Sequence, residues 1–273
     1  MELQSPQILA LRERGFSVAS RPSMLDRILQ QRALARWTTA AQAAEHADLN
    51  VLRDQLHQAR QLRGKLNTLL HTAESRLGLP RIGTNAFIKP PGTRWSWRPP
   101  VWRGPITPKG AAGPASGAVI GPGMKLFHDC SVSELTLRQI RNAHEEDLAA
   151  FGLQMDVLGF DGTFLSVVID FPAEAKNGLR KREIIQMQAL IETERDTTVF
   201  ARLNIKCGPN TEQIVQELPL QDANTVADFD LAYVDVVENR IEGMWLDLIF
   251  EEPAMNQLRI RDLSFCRYPR AEL

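Results

Sequence analysis

The feature that most limits what this chain can fold into is a period of two in its second half. Phe151, Leu153, Met155 and Val157 alternate with small or polar residues. Beyond Asp161-Gly162, a pair suited to a hairpin turn, Leu165, Val167, Ile169 and Phe171 do the same. The pattern returns at Ile185–Ile191, Val199–Ile205, Ala227–Tyr233 and Met244–Phe250. Successive side chains of an extended strand point to opposite faces, so each run buries one face and leaves the other outward. Residues 124–129, 134–141, 212–220 and 258–265 bring the reading to about nine strands. Parity slips between Ile260 and Leu263, which predicts a bulge near Arg261-Asp262. Half-buried strands in this number, with one short helical candidate at 142–150, predict an antiparallel sandwich or jelly roll.

The first part of the chain has a different period. Leu49, Leu52, Leu56, Ala59, Arg63, Leu66, Leu70, Ala73 and Leu77 follow alternating steps of three and four, the heptad seam of a coiled-coil-like helix over 39–78. Arg63-Gly64 is a natural place for a break, and Gly78-Leu79-Pro80 a natural end. Pro22-Ser23 opens a shorter basic helix with Leu25, Ile28 and Leu29 on one face, suited to packing on a neighbouring helix more than to a membrane surface. The Leu49–Leu77 seam needs cover, from residues 23–37, from a second copy in a homodimer, or from another protein.

Between these parts, residues 80–123 hold nine prolines and eight glycines and read as a linker. Three of the five tryptophans, Trp95, Trp97 and Trp102, fall inside it. Leaving an indole in water forgoes about 2–3 kcal/mol. The segment therefore reads either as a strap whose rings cover the following domain, Trp245 included, or as a stacking platform for sugar rings, or for bases with arginine assistance. The fold class is α+β: helical residues 1–79, a Trp-bearing linker 80–123, and a β-sandwich 124–273.

Charge divides along the same line. Residues 1–120 carry 17 basic and 7 acidic side chains, residues 121–273 carry 15 and 26. An acidic sandwich argues against a nucleic-acid reader, and no aromatic residues interleave the charges of the long helix. Cys130, Cys207 and Cys266 are odd in number and widely spaced, which suits reduced thiols. With no apolar run near the ~18 residues of a membrane span and no apolar leader in the first residues, the expectation is a cytoplasmic protein without a membrane span.

The motifs of enzymes and cofactor proteins are missing from the sequence: no phosphate loop, no Gly-x-Ser-x-Gly elbow, no dinucleotide glycine fingerprint. His144-Glu145-Glu146-Asp147 lacks paired histidines, and His128-Asp129 reads as a strand end more readily than as a calcium site. Acid pairs such as Asp228 with Asp230 and Asp247 with Glu251 suit solubility as well as glycosidase chemistry. No catalytic residue, metal ligand or cofactor is assigned. The better candidates are outward polar and aromatic residues, since sugar sites combine an aromatic plane with Arg, Asn and Asp partners. These are Trp245 and Asp247 on one strand, Arg202 and Asn204 on another, and Trp95 and Trp97 of the strap.

Two resemblances add to this. Met244–Phe250 followed by Asn256–Phe265 resembles the closing strands of galactose-binding-like jelly rolls, a fold common in non-catalytic carbohydrate-binding modules. Gly92-Thr93-Arg94-Trp95, Leu126–Cys130, Phe200–Ile205, Gly208-Pro209-Asn210 and Pro269–Leu273 together resemble an uncharacterised bacterial protein family with a domain of unknown function. The second implies no activity. The first implies a non-catalytic glycan-binding sandwich joined to a helical self-association or docking segment. The alternatives are an assembly protein making protein contacts only, and a carbohydrate-active enzyme.

Overall fold

The structure is a computed structural model describing residues 24–78, 87–144, 147–220 and 224–270. It divides into two units, Met1–Lys65 and Leu66–Leu273. Helix α1 spans Met24–Ala43 and α2 spans Leu49–Gly78. The long helix begins at Leu49, the first seam residue, and not at residue 39 as expected, because residues 39–43 belong to α1, residues 44–48 turn, and Asp48 Oδ1 accepts from the Asn50 amide at 2.8 Å. It then runs unbroken through Gly64, where a break was expected; one interior glycine costs only about 1 kcal/mol. Pro22-Ser23 and Leu79-Pro80, the expected terminal signals, lie outside the described residues. In the first unit Arg36 Nη2 donates to Gln58 Oε1 at 2.7 Å, yet α1 has no buried residue and the seam residues Leu49 and Leu56 stay exposed.

Among the described residues the second unit holds thirteen strands in two antiparallel sheets, which bears out the α+β class and the sandwich. They are β1 (Trp95–Trp97), β2 (Gly110–Ala112), β3 (Ala118–Gly121), β4 (Met124–His128), β5 (Ser133–Arg141), β6 (Phe151–Phe160), β7 (Phe164–Asp170), β8 (Glu183–Thr193), β9 (Val199–Cys207), β10 (Asn210–Glu217), β11 (Asn224–Asp230), β12 (Ile241–Glu251) and β13 (Asn256–Pro269). Sheet I runs β11-β8-β13-β6-β5-β2, with β1 added to β13. Sheet II runs β10-β9-β12-β7-β4-β3. From β6 to β9, and again from β10 to β13, nearly every connection changes sheet, the jelly-roll habit.

The alternating faces read from sequence meet in one core. Leu153, Met155, Met187 and Ile260 of sheet I join Leu165, Leu203, Leu246 and Phe250 of sheet II, all effectively inaccessible to water. Three expectations need correction. Asp161-Gly162 is not a hairpin turn, because β6 and β7 lie in different sheets. Among the described residues 142–150 form no helix; Asn142 Nδ2 instead donates to the carbonyls of Ala149 and Arg261 at 3.0 and 2.8 Å. Residues 95–121 are more than a connection, since β1, β2 and β3 extend both sheets. Their three or four residues are too few to show alternation.

The slip in parity is real. β13 shifts register against β8 between Ile260 and Asp262, and there it also changes partner on its other side, from β6 to β1. The strap binds this slip through one backbone carbonyl and one carboxylate. Trp102, fully buried in a short helix α3 (Pro100–Arg103), donates Nε1–H to the Ile260 carbonyl at 2.9 Å. Arg98, equally buried, holds both Asp262 oxygens at 2.8 Å. Gln139 clamps the turn, donating to the Val101 and Gly104 carbonyls at 2.6 and 2.8 Å and accepting from the Ile106 amide at 3.0 Å. Removing one member of a buried ion pair costs about 3–5 kcal/mol. Asp262→Ala, which leaves the buried guanidinium without its carboxylate, is therefore expected to lower unfolding free energy by a comparable amount in a urea titration, with Asp262→Asn falling between.

Candidate functional site

Antiparallel register lays out the outer face of sheet II in rows. One row crosses Gln213, Asn204, Trp245 and Asp170. The next crosses Val215, Arg202, Asp247, Val168 and Lys125. A third crosses Phe200, Ile249, Ser166 and Phe127. Phe164, two residues from Ser166 on the same strand face, closes the set against Glu251. Ten of these side chains, Trp245, Arg202, Asp247, Lys125, Asp170 and Ser166 among them, line a groove of about 630 Å³, within the usual range of ligand sites.

The polar end is pre-organised. Arg202 donates through Nε and Nη2 to Asp247 Oδ2 at 2.8 and 2.6 Å, and Asn204 Nδ2 donates to the same oxygen at 3.1 Å. Gln213 Nε2 holds Asn204 Oδ1 at 3.0 Å. Asp247 and Asn204 are buried while Arg202 keeps about a third of its side chain in solvent (36%). Lys125 Nζ meets Asp170 Oδ2 at 3.1 Å across the groove's other edge. Each cation has its carboxylate, so the lining is close to neutral. The other end is apolar: Phe127 is 38% exposed, and Phe164, Val168 and Ile249 are half-buried.

The structure thus brings Trp245, Asp247 and Arg202 together, with Asn204 behind them as a brace. It does not bring Trp95 and Trp97 to them. Those two rings belong to sheet I, where β1 pairs with β13, and they pack on Phe171 and Phe265 at centroid distances of 5.7–6.0 Å. The strap therefore leaves Trp245 uncovered. His128 and Asp129 are also committed elsewhere: His128 Nε2–H donates to the Pro114 carbonyl at 3.0 Å. The sequence reading missed Lys125, Phe127, Phe164, Ser166, Val168, Asp170 and Ile249. A signal was present, since Phe127, Phe164, Val168 and Ile249 are apolar at positions of outward parity on strands whose inward face is already apolar.

One end of the groove is set by the corner between β6 and β7. Asp129 Oδ1 accepts from the Thr163 and Phe164 amides at 2.8 and 3.2 Å, and Oδ2 from the Thr163 hydroxyl at 2.6 Å. Asp161 accepts from the Cys130 thiol at 2.7 Å, from the Ser131 hydroxyl, and from the amides of Ser131 and Val132 at 2.9 and 3.2 Å. These donors, the Cys130 thiol and Ser131 hydroxyl foremost, hold the Asp161 carboxyl far below the usual carboxylate range. The Thr163 hydroxyl and the adjoining amides lower Asp129 in the same way.

Two antiparallel layers with alternating crossings and N-terminal helices make this a jelly-roll-type β-sandwich protein. The chain belongs to the family of unknown function DUF6478, whose model matches residues 17–273. No curated protein sequence matches it. Among solved structures it is similar to a family 11 carbohydrate-binding module from Clostridium thermocellum in complex with a β-1,3-1,4-mixed-linked tetrasaccharide, at 9% identity, TM-score 0.37, covering 57% of this chain and 93% of that one. It is also similar to the CBM22-1 xylan-binding domain of Paenibacillus barcinonensis Xyn10C, at 11% identity, TM-score 0.34, covering 68% and 100%. A third is the enzymatically active domain of bacteriophage CBA120 tailspike protein 4, at 9% identity and TM-score 0.38; the match covers 53% of this chain and 19% of that one.

A carboxylate whose folded pKa is depressed stabilises the fold above its ordinary pKa, here 3.8, and loses that contribution as pH falls toward the lower folded value. Asp161→Ala is accordingly expected to melt below the parent protein at pH 7. The gap between the two melting temperatures should narrow as pH is lowered beneath 3.8, followed by circular dichroism.

Proposed function

We propose that the groove on sheet II binds a neutral glycan and that the sandwich acts as a non-catalytic binding module. The observation that carries this is an uncovered, half-buried indole at Trp245 beside Arg202, whose guanidinium is held in place by Asp247 and still reaches solvent. An aromatic face stacks on the C–H face of a sugar ring, and a fixed Arg–Asp pair offers both donor and acceptor to ring hydroxyls. Matching of Lys125 with Asp170 and of Arg202 with Asp247 favours an uncharged ligand over a uronic acid or phosphate. Affinity electrophoresis in gels containing soluble polysaccharides tests this with the full chain. Trp245→Ala and Arg202→Ala should each lose retardation by at least about tenfold in affinity, as expected for loss of a central aromatic or Arg anchor, with circular dichroism unchanged. Unaltered retardation in both variants would overturn the assignment, and hydrolysis of a retained polysaccharide would overturn its non-catalytic part.

The helical residues support a second role, self-association. Leu49, Leu56, Leu66 and Leu70 share one heptad seam and are each about half exposed or more, at 68, 48, 47 and 50%. A seam of this period is matched by an equivalent helix, which a second copy supplies. Light scattering is expected to report a dimer that becomes monomeric in Leu56→Asp/Leu70→Asp. A monomeric parent protein would remove this role and leave the glycan reading intact.

A further inference from the structure

The floor of the groove contains a polar group that the protein itself does not use. Ser166 is only 4% exposed, lines the groove, and its Oγ has no hydrogen-bond partner among the described residues. Register sets it between Ile249 and Phe127, with Phe164 and Val168 two residues away along the same strand face. A hydroxyl in such surroundings is disfavoured unless something bonds to it. Nearby Arg202, Asn204 and Asp247, in contrast, are tied to one another.

Resting on the glycan reading above, we infer that the ligand carries a 2-acetamido group. Its methyl sits among Phe127, Phe164 and Ile249, and its amide carbonyl accepts from the Ser166 hydroxyl, whose Oγ is buried in the free protein and turns about χ1 to meet it. An unsubstituted glucan can stack its C–H faces on the aromatic walls, but it brings no methyl to fill the space among Phe127, Phe164 and Ile249. A 6-deoxy sugar brings a methyl without the adjoining acceptor. The acetamido group brings both, a small apolar end and one strong acceptor within a bond or two of it. The neutral lining suits an N-acetylated sugar over its deacetylated, cationic form. Two sources share this chemistry, chitin-type chains and the glycan strands of peptidoglycan, and the test separates them.

The test is titration calorimetry of the full chain with chitotetraose, with a GlcNAc–MurNAc tetrasaccharide and with cellotetraose. At least one acetamido ligand should bind about tenfold or more tighter than cellotetraose, the size of one good hydrogen bond plus one buried methyl. The anionic lactyl group of the second ligand should weaken it relative to chitotetraose if the neutral lining governs. Ser166→Ala should narrow the gap severalfold, by the share of the one hydrogen bond it removes, and leave the share of the buried methyl in place. Because Oγ has no partner in the fold, this variant should melt at the parent temperature or above it. Equal affinity for all three ligands, or a gap undiminished in Ser166→Ala, overturns the inference. If cellotetraose binds in a Trp245-dependent way with no preference, the acetamido assignment alone fails. If none of the three binds and a glycan array is blank, the glycan reading fails with it.

Discussion

Sheet I is held together across a fault in its most connected strand. β13 pairs with β8 along nearly its whole length, but it changes register at Ile260 and hands its other edge from β6 to β1. A bulge in an interior strand leaves backbone groups without ladder partners, and in a dry core each would be costly. Trp102, Asn142 and Arg98 answer the three positions in turn, bonding to the Ile260 carbonyl, the Arg261 carbonyl and the Asp262 carboxylate. The proline-rich strap is thus an internal component of the sheet. Its prolines suit that task, since Pro100 opens α3 at a position where no amide hydrogen is needed.

Sheet II shows what register does for a site. Arg202 and Asp247 are distant in sequence, and only the antiparallel pairing of β9 with β12 sets them side by side. The same pairing fixes Trp245 beside Asn204, and β7 then adds Asp170 to that row and Ser166 two rows on. Every lining residue therefore stands on a strand, where rotamers are limited by neighbours, and the corner bonds of Asp129 and Asp161 position the start of β7 at one end. The geometry is pre-formed, which lowers the ordering cost of taking up a ligand.

Much of this was legible from residues alone, and the misses share a cause. Period-two runs such as Val199–Ile205 and Met244–Phe250 announce their buried faces because one side must be apolar. The slip between Ile260 and Leu263 announces the bulge for the same reason. Trp245, Arg202 and Asp247 follow as outward residues on those strands. Sheet assignment does not follow: Asp161-Gly162 is chemically a hairpin pair, and only the tertiary fold sends β7 to the opposite layer. β1, β2 and β3 escape notice because edge strands of three or four residues have too little alternation to register. Trp95 and Trp97, as aromatic as Trp245 and flanked by Arg94 and Arg98, join the other sheet, which local sequence does not encode. Ser166 is silent in sequence, since a serine of outward parity is the most ordinary residue a strand can have.

The place of β13 has a consequence for how the protein is made. It is the last of the thirteen strands to leave the ribosome, yet it lies third in its sheet with partners on both edges. Until it emerges, β6 and β8 face one another across an empty lane, each with an unpaired apolar edge of the kind that invites misassembly between nascent chains. The helices, the strap and the strands of sheet II all precede it in the chain, so sheet I cannot be completed between β6 and β8 until this strand has been made.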